Sequence, residues 1–181
     1  AMHVIYVVGT RPNLVKMAPV LADLARRDPD GAHVLVHTGQ HYDRRMSDVF
    51  IEQLGIPAPD HLLEVGSGTH AVQTADAMRR FEPVLDANNP SCVIVVGDVN
   101  STLACTLVAV KKGVPVDHVE AGLRSFDRSM PEEINRVLTD QIADRLYTTE
   151  RAAEDNLSRE GIPAERVRFA NTGTEATMAA V

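Results

Sequence analysis

Arg11, Lys16, Asp98, Glu120 and Glu132 sit just after apolar runs or at the openings of helix-length segments, where side chains are free to meet a ligand. Cations near carboxylates supply what acid–base chemistry on a phosphate ester needs: charge to hold the phosphate, and groups to take and give a proton. Gly9-Thr10-Arg11-Pro12 runs from an apolar stretch into a helix start. Free backbone N–H groups and the helix dipole favour an anion there, and Arg11 adds a bidentate partner. Lys16 lies about one turn further on. The competing reading pairs Arg11 with a neighbouring carboxylate and leaves Lys16 in water. The tetrapeptide is neither a Walker loop nor a G-x-G-x-x-G fingerprint, so P-loop nucleotidases and dinucleotide dehydrogenases gain little support.

The carboxylates each carry two readings. Asp98 follows the most apolar run of the chain and can bind a sugar hydroxyl or accept a proton; it can equally order its own loop, with Asn100 or Ser101 capping the next helix. Glu120 closes a strand-like run and is followed at once by Gly122, which lets backbone approach a ligand; the alternative is an ion pair with Arg124 or Arg128. Ser129-Met130-Pro131-Glu132 has the spacing of a capping box, with Ser129 as N-cap, Glu132 reaching back and Glu133 adding favourable dipole charge. His41 and His118 read as packing or hydrogen-bonded histidines, and no cluster has metal-ligand spacing.

The elements that must position these groups alternate between short β-branched runs and helix-length amphipathic stretches. Strands are expected at 4–8, 33–37, 61–65, 92–96, 116–119, 145–148 and 166–169. Helices are expected at 12–27, 44–54, from Gly68 to about 87, 101–112, 131–143 and 151–160, with Gly55 and Gly113 as stops. The run 92–96 has no polar interruption and is expected to be central, because strands covered on both faces lose their alternation. This order predicts an α/β fold, a Rossmann-like three-layer α/β/α domain with a central parallel sheet. Ligands of such sheets gather at the carboxyl ends of the strands, where the five residues lie.

Composition sets limits. A chain of 181 residues with 44% apolar residues supports one domain with a two-sided core or one lobe of a larger enzyme. A net charge of -7 argues against general affinity for nucleic acid or an anionic membrane. Cys92 and Cys105 read as buried, unpaired thiols. With neither a secretory pattern nor a long apolar stretch, a cytoplasmic location is expected.

Several ordered motifs carry a resemblance. Gly9-Thr10-Arg11-Pro12 with Lys16-Met17-Ala18-Pro19, then Thr38-Gly39-Gln40-His41-Tyr42, then Gly97-Asp98 with Asn100-Ser101-Thr102 come first. His118-Val119-Glu120-Ala121-Gly122-Leu123-Arg124 and Met130-Pro131-Glu132-Glu133 with Asn135-Arg136 follow. Together, over about 4–168, they resemble the non-hydrolysing UDP-N-acetylglucosamine (UDP-GlcNAc) 2-epimerases. The resemblance implies a GT-B architecture of two Rossmann-like lobes. Residues 2–170 would be the sugar-side N-terminal lobe and 171–181 a tail or the start of the interdomain connection, with the C-terminal UDP-binding lobe absent or on another chain.

It also implies a reaction. Loss of the C2 proton and of UDP from C1 leaves a 2-acetamidoglucal, and UDP adds back with the proton delivered to the opposite face, without metal or NAD. By position, Asp98, Glu120, Glu132 and Lys16 match catalytic residues, and Arg11, Gly9, Thr10, Asn100 and Arg136 match substrate-binding ones. Gln40, His41 and Gln73 fall near positions that contact a second UDP-GlcNAc acting as activator. Asn13 departs from the glutamate that often follows the Arg-Pro pair, and Ala170-Asn171-Thr172-Gly173-Thr174-Glu175 from the usual Gly-Asn interdomain start. Two other functions compete: a non-catalytic module binding a sugar or a partner, and a hydrolysing epimerase or glycosyltransferase of the same fold. A lobe without its mate should expose apolar surface, so self-association is expected.

Overall fold

The computed structural model describes residues 1–39 and 44–170, with side chains from 47 onward in the second stretch. Gln40 and His41, like the whole of 171–181, lie outside the described residues. Strands β1 (His3–Val8), β2 (Ala32–His37), β3 (His61–Leu62), β4 (Cys92–Val96), β5 (Val116–Val119), β6 (Arg145–Thr148) and β7 (Val167–Phe169) form one sheet. Its order is β3-β2-β1-β4-β5-β6-β7, and each described pairing is parallel. Helices α1 (Arg11–Arg27), α2 (Arg44–Leu54), α3 (His70–Asn88), α4 (Asn100–Lys111), α5 (Pro131–Ile142) and α6 (Arg151–Arg159) supply the crossovers.

Strand order reverses between β1 and β4, so their carboxyl ends open the crevice where ligands of doubly wound sheets bind. The expected centrality of 92–96 holds, since all five residues of β4 are buried between β1 and β5. One core layer joins α1 and α2 to the sheet through Leu14, Met17, Leu21 and Ile51; the other sets Phe81, Leu85, Cys105 and Leu157 against Ile5, Val93, Val95 and Leu146. Both thiols are buried and free, as expected. Burial, helped by the charge of Asp117 and opposed by Arg145, pushes Cys92 up to about 12.

Helix α1 shows how the sequence sets an element that serves the site. Leu14, Met17, Leu21 and Leu24 recur at helical spacing and are buried, each side chain contributing roughly 1.5–3 kcal/mol when fully removed from water. Thr10 is the N-cap, its hydroxyl accepting the Asn13 N–H at 3.3 Å, and a proline in the first turn forfeits no bond. In the last turn Arg26 and Arg27 complement the dipole and pair with Asp23 at 2.6 and 2.9 Å.

The strand expected over 61–65 is cut to two residues. Glu64 has a left-handed backbone with φ 52°, and Arg80 Nη1 donates to the carbonyls of Leu63 and Glu64 at 2.6 and 2.8 Å. A side chain takes the acceptors that a longer ladder would use.

Phe81 is wholly buried in the larger core layer. Phe81→Ala should lower the unfolding free energy by about 3–5 kcal/mol, read as a fall in denaturation midpoint at unchanged slope. A loss below about 1 kcal/mol would show that the helix layer closes over the cavity.

Candidate active site

The site begins at the switch point. After β1, the chain turns through Gly9 and Thr10 into α1; after β4, it turns through Gly97 and Asp98 into α4. Asn13 knits the two loops together. Only 5% exposed, it accepts the Gly9 N–H on Oδ1 at 3.0 Å, and its Nδ2 stands 2.8 Å from where a Cβ on Gly97 would be. The departure from glutamate at this position therefore braces the loop with a neutral amide that both accepts from one loop and packs against the other.

Glu120 follows β5 and has a left-handed backbone, φ 61°, a costly conformation for a residue with a Cβ. Its carboxylate lies 2.8 Å from Lys16 Nζ, both side chains being partly exposed at 25% and 42%. The ion pair with Arg124 weighed from sequence does not form; Arg124 turns inward, placing Nη1 2.9 Å from Asp140 and donating to both oxygens of Glu160 at 2.8 and 2.7 Å. Lys16 is paired rather than simply solvated. Arg11 is exposed and lies over the Phe50 ring at 5.1 Å, and among the described residues it has no carboxylate partner.

Asp98 lies 3.6 Å from Arg136 Nη1, so the site's second carboxylate also has a cation beside it. Asn100 does not cap α4; the N-cap is Val99, with no side-chain bond. Asn100 instead donates to Gln73 Oε1 at 2.9 Å and accepts from Asn135 Nδ2 at 3.1 Å, while Asn135 also donates to the Asp98 carbonyl at 3.0 Å. Gly9, Thr10, Gln73, Asn100, Glu132 and Asn135 line one cavity of about 290 Å³. Arg11, Lys16, Asp98, Glu120 and Arg136 are not in that lining.

The capping box expected at Ser129–Glu132 is not formed. Met130 is the N-cap of α5 without a side-chain bond, and Ser129 gives its N–H and its hydroxyl to Asp127 at 2.9 and 2.6 Å. Glu132 is left exposed at the cavity. Glu133, read from sequence only as helix-dipole charge, is 2% exposed and orders the preceding loop. It accepts N–H bonds from Ser125 at 3.2 Å and Phe126 at 2.6 Å, and lies 2.8 Å from Arg136 Nε, off the hydrogen-bond direction. Asp140 and Glu160 were not singled out from the sequence; for Asp140, a carboxylate at a buried position of an amphipathic helix was the available signal.

A doubly wound parallel sheet with cation–carboxylate pairs and, at its carboxyl edge, a cavity whose lining includes amides, hydroxyls and a carboxylate defines a ligand-binding α/β domain of the Rossmann-like class. The family model for UDP-N-acetylglucosamine 2-epimerase matches residues 24–179, and the chain belongs to that family. A UDP-N-acetylglucosamine 2-epimerase homolog of Methanococcus maripaludis is 46% identical over 161 residues, which cover 89% of this chain and 44% of the relative. The UDP-2,3-diacetamido-2,3-dideoxy-D-glucuronate 2-epimerase of Pseudomonas aeruginosa is 45% identical over 172 residues, with coverages of 95% and 48%. The crystal structure of Methanocaldococcus jannaschii UDP-GlcNAc 2-epimerase in complex with UDP-GlcNAc and UDP superposes with a TM-score of 0.86 at 44% identity. That match covers 93% of this chain and 46% of that one. The chain thus spans about half the length of the relatives it matches.

Gly122, at φ 82°, would place a Cβ 2.7 Å from the Ala153 carbonyl oxygen. Gly122→Ala should therefore destabilise the chain by more than about 1 kcal/mol, since both the backbone region and the space exclude a side chain. Chemical denaturation measures this; an unchanged midpoint would show that the Glu120 loop moves freely against α6.

Proposed function

We propose that this chain is the sugar-side, N-terminal half of a UDP-GlcNAc 2-epimerase, which interconverts UDP-GlcNAc and UDP-ManNAc by elimination and re-addition of UDP. The observation that carries the reading is that Asp98 and Glu120 follow neighbouring parallel strands, each with a cation beside it, Arg136 at 3.6 Å and Lys16 at 2.8 Å. In the forward half-reaction a carboxylate takes the C2 proton, the C1–O bond to UDP breaks, and a C1–C2 double bond forms. UDP then attacks C1 while a carboxylic acid returns a proton to the opposite face of C2. Asp98, Glu120, Glu132 and Lys16 are the groups assigned to proton transfer and sugar positioning, with Lys16 paired to Glu120 at 2.8 Å. Gly9, Thr10, Arg11, Asn100 and Arg136 are assigned to substrate contacts, and Gln73 to contact with a second nucleotide sugar acting as activator. The route moves a proton and a leaving group but no hydride, so acids, bases and cations suffice.

A second reading keeps the reaction and changes the sugar. The relative named as a UDP-2,3-diacetamido-2,3-dideoxy-D-glucuronate 2-epimerase is as similar, at 45%, as the UDP-GlcNAc 2-epimerase of Methanocaldococcus jannaschii, also at 45%. The remaining groups on UDP are assigned to a UDP-binding half of the enzyme. Self-association is also proposed: Ile134 on α5 is exposed and lines an open groove with Ala75 and Met78 of α3, and Val72 and Leu138 are exposed on the same two helices. No helix of the described residues is long and apolar enough to cross a membrane.

The decisive measurement follows deuterium at C2 of each nucleotide sugar in deuterated water, with this chain and a UDP-binding half from a relative. Exchange should require both parts and fall about 100-fold or more in Asp98→Asn or Glu120→Gln. Absence of exchange in an associated, folded pair would overturn the epimerase reading, and release of free ManNAc would replace it with a hydrolysing one. For assembly, light scattering should give a mass above that of one chain; a monomer at high concentration refutes self-association.

A further inference from the structure

Beneath the two site loops lies a histidine whose charge the geometry decides. His118 on β5 is 1% exposed. Its Nδ1 lies 2.6 Å from Asp140 Oδ1 and its Nε2 lies 2.8 Å from the Gly97 carbonyl oxygen. Neither partner has a proton to give when Asp140 is ionised, and Asp140 is held ionised: its other oxygen accepts the Gly122 N–H at 3.0 Å and lies 2.9 Å from Arg124 Nη1. Both ring nitrogens must then donate, which only the imidazolium can do. The adjacent strands present apolar Val95 and Leu146 in register with His118, so the charged groups facing it are Asp140 on α5 and Arg124, with Glu160 behind Arg124.

The consequence is mechanical as well as electrostatic. Gly97 immediately precedes Asp98, and Gly122 lies two residues after Glu120. Through His118 and Asp140, the loop after β4 and the loop after β5 are tied to one buried carboxylate. We propose that His118 is a permanent imidazolium that holds the Asp98 and Glu120 loops in a single register, a positioning residue for the epimerisation proposed above and not a proton donor in it. Its bearing on turnover rests on that reading, whereas its charge and its hold on the loops do not.

Ionisation follows the same pattern. Burial alone would lower His118, but Asp140 and the Gly97 carbonyl outweigh it and raise the ring above the ordinary histidine value, against a smaller opposing effect of Arg124. Burial would raise Asp140, but His118, Arg124 and the Gly122 N–H bring it below the ordinary carboxylate value. A raised histidine contributes stability that is full below its unfolded pKa and is lost as pH rises through the folded one; a lowered carboxylate contributes stability lost as pH falls through its folded one. The lock is therefore intact from mildly acidic through neutral pH.

The test is nitrogen NMR of the histidine-labelled chain. Both ring nitrogens of His118 should still carry protons at neutral pH, where an ordinary histidine, which titrates at about 6.5, is mostly neutral. A neutral tautomer at neutral pH overturns the proposal. In Asp140→Asn, the His118 ring should lose its raised pKa, and the amide signals of Asp98 and of the Glu120 to Gly122 segment should shift together. If that variant does not fold, His118→Gln, which removes the charge facing Asp140, tests the loops alone, and the same amide signals should shift. Unmoved amide signals in a folded variant also overturn the proposal. Where wild type exchanges deuterium at C2, the variant should do so about 10–100-fold more slowly at unchanged half-saturating substrate. An unchanged rate removes the link to catalysis, and no exchange by the wild-type chain paired with a UDP-binding half refutes the epimerase reading while the ring and amide signals still decide the lock.

Discussion

A carboxylate with no exposure to solvent, Asp140, holds the ends of two strands and the loop that follows one of them. An unpaired charge in that place would be prohibitive, so it is met by a histidine ring, a guanidinium and a backbone N–H, each from a different stretch of β5 and its loop. The constraint runs outward from there. Arg124, buried to answer Asp140, brings in Glu160 at the end of α6, and Asn156 on α6 donates to the Gly122 carbonyl at 3.0 Å. The path of the loop after Glu120 is thus fixed from below by charge pairing, which is directional and leaves little room for the loop to slide.

The opposite side of the site is built with neutral groups. Asn13 joins the loops after β1 and β4, and Asn100, Asn135 and Gln73 form an amide network along the cavity. Amides give and accept without carrying charge, so they shape the pocket without competing with Lys16 and Arg136 for the carboxylates. Glu133 performs a related task for the segment before α5, taking two consecutive N–H groups that no strand or helix satisfies. Stiffness at this rim comes from buried polar groups answering one another, while the hydrophobic layers beneath supply the platform.

The architecture was legible because period and punctuation agreed along the chain. Uninterrupted Cys92–Val96 announced a central strand, and Gly9-Thr10-Arg11-Pro12 announced a strand-to-helix turn, both of which hold. Where legibility failed, a long-range partner had won over a local rule. Glu64 and Arg80 ended β3 early, and Ser129 gave its bonds to Asp127 instead of capping α5. Of the site, the loops were within reach of sequence, but the partner of each cation was not. Arg124 and Glu120 are close in sequence, yet the buried Asp140 claims the arginine and leaves Glu120 to Lys16. No local spacing encodes that exchange, because it depends on which side chain is left without water once the sheet has closed.

The left-handed backbone of Glu120 bears on how such sequences drift. Glycine, and to a lesser degree asparagine, would occupy that conformation with less strain than glutamate, so substitution there is favoured by folding alone. A descendant that keeps glutamate keeps it against that pull. On the role proposed for Glu120, glycine or asparagine at this position in a relative would mark a lineage that retains the fold without that chemistry.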